Sequence, residues 1–160
     1  MTVLRRGTVP ETDAVSTYPE PYNRGRGRMF YAPLSDVGGL TQFGAAFERL
    51  VPGGKGSQKH WHEREDEFLY LISGRLTVTE GETETVMEPG DAACWKAGEP
   101  VGHTIRNDGD VDAVYLIVGS RDPQDICHYP GLDMRLQPLE GGGHGFVHLD
   151  GTPWPEFRPK

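Results

Sequence analysis

Between residues 67 and 118 the chain alternates short apolar runs with turn residues, at a spacing of roughly 8 to 12 residues per run. Residues 67–72 are apolar after Glu67, and Ser73-Gly74 turns the chain. Residues 76–80 place Leu76 and Val78 on one face, Gly81-Glu82 reads as a hairpin turn, and residues 83–87 return. After the turn Glu88-Pro89-Gly90-Asp91, further strands are expected over 92–95, 103–106 and 112–118. In the last of these Ala113, Tyr115 and Ile117 alternate with Val114, Leu116 and Val118. Both faces are apolar, so this strand is expected at the centre of a sheet or under a second layer. A parallel sheet would need crossover helices, for which there is no room. The pattern therefore predicts an all-β sandwich or small barrel.

The ends are less regular. Pro10, Pro19 and Pro21 interrupt residues 1–28, which form either a solvated arm or an arm packed on the domain or a partner. Tyr18, Tyr22, Met29, Phe30 and Tyr31 supply the apolar surface for packing. Arg24, Arg26 and Arg28 are expected as solvated surface charge, with an anion as the alternative partner. Residues 29–34 predict a first strand, residues 35–39 a turn and residues 40–53 a second strand. Past Ser120, Asp122-Pro123 reads as the start of a short helix over 122–127. One short strand and an aromatic tail are expected near the end. The organisation expected is an arm (1–28), a β domain (29–120) and an extension (121–160) packing on the domain or on a partner subunit.

With 160 residues the chain suits one domain without a disulfide. Its 22 Gly and 13 Pro fit many turns between short strands. A net charge of −8 argues against a nonspecific nucleic-acid surface. Cys94 and Cys127 lie in no paired motif, as in a reduced cytoplasmic protein. No apolar run reaches the ~18 residues a membrane span needs. Residues 1–15 carry charge with no apolar segment behind them, so no signal peptide is expected.

The chemistry concentrates in residues 53–74. His60 and His62 are two apart, so on a strand both imidazoles face the same side. Glu67 lies at an odd offset from His62, and a turn or bulge over residues 63–67 is needed to bring it to that side. Glu63 stands in for Glu67 if the register differs. His103 must come from another strand. Three imidazoles and one carboxylate suit one divalent transition metal per subunit, Fe, Mn, Ni, Zn or Cu, better than a hard oxygen-only cation. On an octahedral ion two positions would remain for substrate, water or dioxygen.

These stretches resemble the two motifs of the cupin family. Gly54, His60, His62, Glu67 and Gly74 match the first throughout. Gly90, Gly98, His103 and Asn107 match the second, although Lys96 stands where proline is usual and four residues rather than two separate Gly98 from His103. The flanking GLTQFG, HWHEREDEF and HYP segments are similar to those of small bacterial single-domain cupins. The resemblance implies a single-domain jelly-roll β-barrel with an irregular N-terminal arm and a C-terminal extension, and a metal held by His60, His62, Glu67 and His103. It implies a metal-dependent enzyme on a small organic substrate, whether dioxygenase, isomerase, epimerase or lyase. The alternative is a non-catalytic small-molecule-binding or sensory cupin.

Trp61, between two ligand candidates, is expected to point away. Phe47, Phe68, Tyr70, Ile72, Ile105, Tyr115 and Ile117 are expected to line the interior. Of these, Tyr70 and Tyr115 are candidate hydrogen-bond donors to substrate. His128 is a candidate acid or base at the barrel mouth. Cys94 is expected as a buried small hydrophobe, and Arg49 and Arg106 as surface ion-pair partners. A sugar phosphate isomerase would want a basic pocket, which so apolar an interior does not offer. Exposed edge strands and the two tails are expected to favour a homodimer.

Overall fold

The computed structural model describes residues 3–155. Among them lie β1 (Thr12–Asp13), β2 (Met29–Pro33), α1 (Leu34–Val37), β3 (Phe43–Leu50) and β4 (Trp61–His62). Then come β5 (Glu67–Ser73), β6 (Leu76–Glu80), β7 (Thr83–Met87), β8 (Ala92–Trp95) and β9 (His103–Arg106). The chain continues through β10 (Ala113–Ser120), β11 (Cys127–His128), β12 (Arg135–Pro138) and β13 (His144–Val147). They form three antiparallel sheets, ordered β1-β2-β3-β10-β5-β8, β13-β12-β11-β4 and β7-β6-β9.

The expected closed barrel is not formed. Among the described residues no ladder joins the three sheets, and the isolated bridges His60 to His103 and Lys55 to Arg106 tie only the segment before and at the start of β4 to β9. The physical reason is the brevity of β4, whose two residues carry only one ladder, to β11, before the chain bends away. The fold is a mostly β, cupin-like stack of sheets with open edges.

β10 occupies the centre of the large sheet, as its two apolar faces predict, between β3 and β5. On β5 the inward face is Glu67, Leu69 and Leu71, and both leucines are fully buried. Each contributes about 1.5–3 kcal/mol by leaving water. Strand alternation then turns Phe68, Tyr70 and Ile72 outward, Tyr70 to 42% exposure, which overturns their expected interior position. On β3 the exposed stripe is Phe43 and Phe47, so Phe47 is also outside. The main core joins Leu50, Leu69, Leu71, Leu76, Val78, Ile105 and Tyr115.

A second core gathers Cys127, Tyr129, Met134 and Phe146, with Tyr18, Tyr22 and Trp154 packed against it. The N-terminal arm is thus ordered over Tyr18 and Tyr22, and β1 pairs with β2. The C-terminal segment supplies β11, β12 and β13 to the sheet that holds β4. Residues 156–160 of the aromatic tail lie outside the described residues. Two local expectations fail. Residues 35–39 begin inside α1, where the buried Ser35 hydroxyl accepts the Ala45 N–H at 2.9 Å. Residues 122–127 form a turn and the start of β11 instead of a helix. Asp122 caps the turn through the Gln124 N–H, and Asp125 is drawn to His62 and the Arg64 N–H.

Candidate metal centre

His60 is bridged to His103, at the start of β9, by two backbone hydrogen bonds: His60 N–H to His103 C=O at 3.0 Å and the reverse at 2.8 Å. That bridge brings one histidine of each motif together. His62 follows on the same side as His60. Trp61 points the other way and stacks on His128, ring centroids 4.3 Å apart. The chain then bends over residues 63–66. The bend is held by the Arg64 N–H on Asp125 (2.8 Å), the Asp66 N–H on the Ser120 hydroxyl (2.9 Å) and the Ala97 N–H on Asp66 (2.8 Å). It resets the strand register, and Glu67 enters the same space as the histidines.

Glu67 Oε2 lies 2.8 Å from His103 Nε2, 3.4 Å from His60 Nε2 and 3.9 Å from His62 Nε2. Although buried and this close, Oε2 makes no hydrogen bond of acceptable geometry. Ligand atoms of His60, Glu67 and His103 lie within 4.8 Å of one another, a grouping that could hold a metal ion, and His62 stands beside this trio with its Nε2 3.9 Å from Glu67 Oε2. Burial opposes ionisation of Glu67, but the neighbouring His103, His60 and His62 outweigh it and hold the carboxyl well below the usual range. Burial pushes the His103 pKa down, against the pull of Glu67, which favours the neutral imidazole a metal needs.

The opposite ring nitrogens of His60 and His62 are occupied, whereas His103 Nδ1 is buried without a hydrogen-bond partner among the described residues. His62 Nδ1 is 2.6 Å from Asp125 Oδ2, and His60 Nδ1 is 2.9 Å from the Gln58 carbonyl and 3.2 Å from the Ser57 hydroxyl. Such contacts fix the tautomer that leaves Nε2 free to bind. His103 is clamped by Trp95, stacked at 4.0 Å. The donor set of three nitrogens and one oxygen fits a divalent transition metal. Two overlapping clusters fit less well. Cys127 lies within 4.8 Å of ligand nitrogens on His60 and His62, but burial raises its pKa and keeps it a thiol. The cluster of His62, Glu65 and Asp125 shares His62 Nδ1, which Asp125 already holds.

A family model for the cupin domain matches residues 46–119. The structure superposes with a TM-score of 0.85 on a cupin-superfamily sugar phosphate isomerase from Silicibacter pomeroyi, 34% identical over 97% of this chain and 98% of that one. The chain belongs to the cupin superfamily. A protein from Acidithiobacillus ferrooxidans, provisionally described as a sugar phosphate isomerase, is 28% identical over 80% of this cupin and 81% of its own chain, with a TM-score of 0.71. A predicted oxalate decarboxylase from Thermotoga maritima shares the fold at 22% identity, covering 74% of this cupin and 98% of that chain, TM-score 0.61. No curated protein sequence matches significantly.

This is a metal-binding cupin, and a cavity beside its cluster gives it the form of a metal-dependent enzyme. The cavity, about 130 Å³, is lined by His60, Glu67 and His103 together with Glu48, Ser57, Trp95 and Tyr115. Glu48 and Tyr115 sit opposite each other on β3 and β10, and the Tyr115 hydroxyl donates to Glu48 Oε2 at 2.6 Å. Burial pushes the Glu48 carboxyl above the ordinary glutamate value, and the Tyr115 bond only partly offsets this. Of the candidate chemical side chains, Tyr115 thus faces the cavity. Tyr70 lies on the outer face of the large sheet. His128 is paired with Glu63 at 2.8 Å and stacked on Trp61, on the side away from the cluster.

Glu48 was not visible as a site residue from the sequence. Its signal is the alternation Gly44, Ala46, Glu48, Leu50, which is the true inner face, masked by the more apolar Phe43, Ala45, Phe47 on the outer one. Asp125 was hidden inside the expected helix. Cys94 is exposed rather than buried, because it shares the outward face with Phe68. Arg49 pairs with Glu11 at 2.6 Å and Asp112 at 2.7 Å, and Arg106 with Glu84 and Asp108, each at 2.7 Å.

Proposed function

We propose that this cupin is a divalent-metal-dependent isomerase acting on a sugar phosphate, with the metal held by His60, His62, Glu67 and His103. The observation that carries the reading is a half-buried carboxylate, Glu48, hydrogen-bonded to Tyr115 and lining the same cavity as His60, Glu67 and His103. The kinship to the Silicibacter pomeroyi isomerase across nearly the whole chain supports the substrate class. The mixed nitrogen and oxygen ligands suit Fe, Mn, Ni, Zn or Cu.

When bound, the metal would supply Lewis-acid polarisation of a substrate oxygen. The proton work falls to Glu48. Its Oε2 accepts from Tyr115, and the carboxylate would take the proton from the hydroxyl-bearing carbon beside the carbonyl and return it to the carbonyl carbon, while the hydroxyl proton passes to the former carbonyl oxygen. No atom is gained or lost in that exchange. Tyr115 orients the carboxylate. Its own hydroxyl stays protonated, because burial and the adjacent Glu48 push its pKa well up. Trp95 and Leu69 give the cavity apolar lining.

The test is incubation of the metal-loaded protein with pentose and hexose phosphates in deuterium oxide, followed by proton NMR. Isomerisation with solvent deuterium at the migrating position is expected. Binding of a sugar phosphate with neither turnover nor exchange would favour a sensory or carrier cupin instead.

We also infer a homodimer formed through the outer face of the large sheet. Phe47, Leu116 and Tyr70 lie side by side across β3, β10 and β5, flanked by Phe43, Phe68 and Ile72. A contiguous apolar face of this kind marks an interface. Light scattering should give twice the chain mass, and Phe47→Glu/Tyr70→Glu should halve it.

A further inference from the structure

The N-terminal arm and the loop before β4 enclose a second cavity, of about 170 Å³, lined by Arg24, Arg26, Lys55, Tyr18, Ser57 and Gln58, together with Gly25. It holds three cations and no carboxylate, in a chain of net charge −8. Most basic side chains around the domain are neutralised: Arg28 on Asp13, Arg49 on Glu11 and Asp112, Arg106 on Glu84 and Asp108. Arg24 pairs with the exposed Glu20 at 3.0 Å. Arg26 donates to the Lys55 carbonyl at 3.3 Å and faces the Met29 sulfur at 3.1 Å, neither of them charged. The Lys55 ammonium has Gln58 Oε1 at 3.5 Å. Among the described residues neither Arg26 nor Lys55 has a carboxylate within ion-pair distance.

The cavity adjoins the metal centre. Ser57 lines both cavities, and its hydroxyl is 3.2 Å from His60 Nδ1. The Arg26 charge also reaches Glu48, where it favours the ionised form. Burial and the Arg106 charge push the Lys55 pKa down, as expected of a cation lacking its counter-ion. The cleft on the His62 side offers a dianion no such welcome, because Glu65, Glu80 and Glu99 there face a single Lys96.

We propose that Arg24, Arg26 and Lys55 bind the phosphate group of a phosphate-monoester substrate, whose other end reaches past Ser57 to Glu48 and the metal centre. This rests on the isomerase reading and supplies the basic pocket that the apolar interior lacks. The Arg26 guanidinium and the Lys55 ammonium, with no carboxylate partner among the described residues, suit a phosphate dianion in charge and geometry.

The experiment is calorimetric titration of the full-length protein with glycerol 3-phosphate, which has no carbonyl to isomerise, and separately with inorganic phosphate. Three proteins are compared: wild type, Arg26→Met/Lys55→Met, and the metal-ligand variant His60→Ala/His62→Ala. Circular dichroism confirms folding, and the milder Lys55→Gln serves if the double variant unfolds. Glycerol 3-phosphate affinity should fall about tenfold or more in the pocket variant and stay within about threefold in the metal-ligand variant. Inorganic phosphate should bind more weakly than the ester. Equal affinity in wild type and pocket variant, dependence on the metal ligands, or no binding at all would overturn the proposal. Tighter binding of inorganic phosphate would mark a free-anion site and overturn the substrate assignment. Pocket-dependent ester binding without turnover of any sugar phosphate would sustain the phosphate site while removing the isomerase reading.

Discussion

Asp125 Oδ2 lies 2.6 Å from His62 Nδ1, so a residue 63 positions further along the chain fixes the tautomer of a candidate metal ligand. Asp125 is almost fully buried, and its second oxygen accepts the Arg64 N–H that holds the bend before Glu67. One carboxylate thus sets both a ligand's orientation and the register of the next strand. Asp125→Asn keeps an acceptor for only one of the two donors, His62 Nδ1–H and Arg64 N–H, sets an NH2 group against the other and loses the charge, and should weaken metal binding by at least about 10-fold. Asp125→Ala should cost about 100-fold. Competition against a chelator of known affinity measures both.

Glu48→Gln should lower kcat by about 10²–10⁴-fold while leaving metal content unchanged. It should also raise the melting temperature. The folded pKa of Glu48 is raised by burial, so its stabilising contribution is present below the unfolded pKa and lost as pH rises through the folded one. At neutral pH the carboxylate therefore costs stability that the amide does not. Kinetics and a thermal melt on the same preparation separate a proton-transferring carboxylate from a merely structural one.

The same pKa sets the acid limb of the pH profile. Activity requires ionised Glu48, so kcat/KM should fall as pH drops through a value above the ordinary glutamate range. The Tyr115 hydrogen bond favours the ionised form. Tyr115→Phe should therefore move the acid limb to higher pH, with metal content unchanged. A pH-rate profile of wild type beside Tyr115→Phe reads the displacement.

Gly74 has φ +78°, and a Cβ there would lie 2.4 Å from the Asp112 carbonyl oxygen and 2.7 Å from Ala113 Cα. Both are backbone atoms of the segment entering β10 and cannot give way cheaply. Gly74→Ala should cost at least about 1–3 kcal/mol, from the backbone conformation and the overpacking together. Denaturant unfolding checks this. The close approach gives a physical reason for the glycine that ends the first motif.

Much of the architecture was legible because period-two alternation is strong where a strand has one wet and one dry face. Leu76 and Val78 on β6 announced themselves by alternation, and β10 by an apolar run on both of its faces. His60 and His62 were legible by the same alternation. Barrel closure was not, since it depends on which edges complete ladders, and β4 is too short to carry a second one. On β3 and β5 the more apolar faces turn outward, so a rule that puts hydrophobic residues inside chose the wrong face and hid Glu48. The basic pocket was equally hidden, because Arg26 and Lys55 meet only after the N-terminal arm folds back on the loop before β4.

The central claim is that His60, His62, Glu67 and His103 hold one transition metal. Elemental mass spectrometry of protein purified without added metal or a metal-binding tag tests it most directly, beside His60→Ala/His62→Ala. The expected result is close to one ion of iron, manganese, nickel, zinc or copper per chain, lost in the variant. A folded wild type that holds none of these and takes up none on reconstitution would contradict it, as would a variant that keeps its metal.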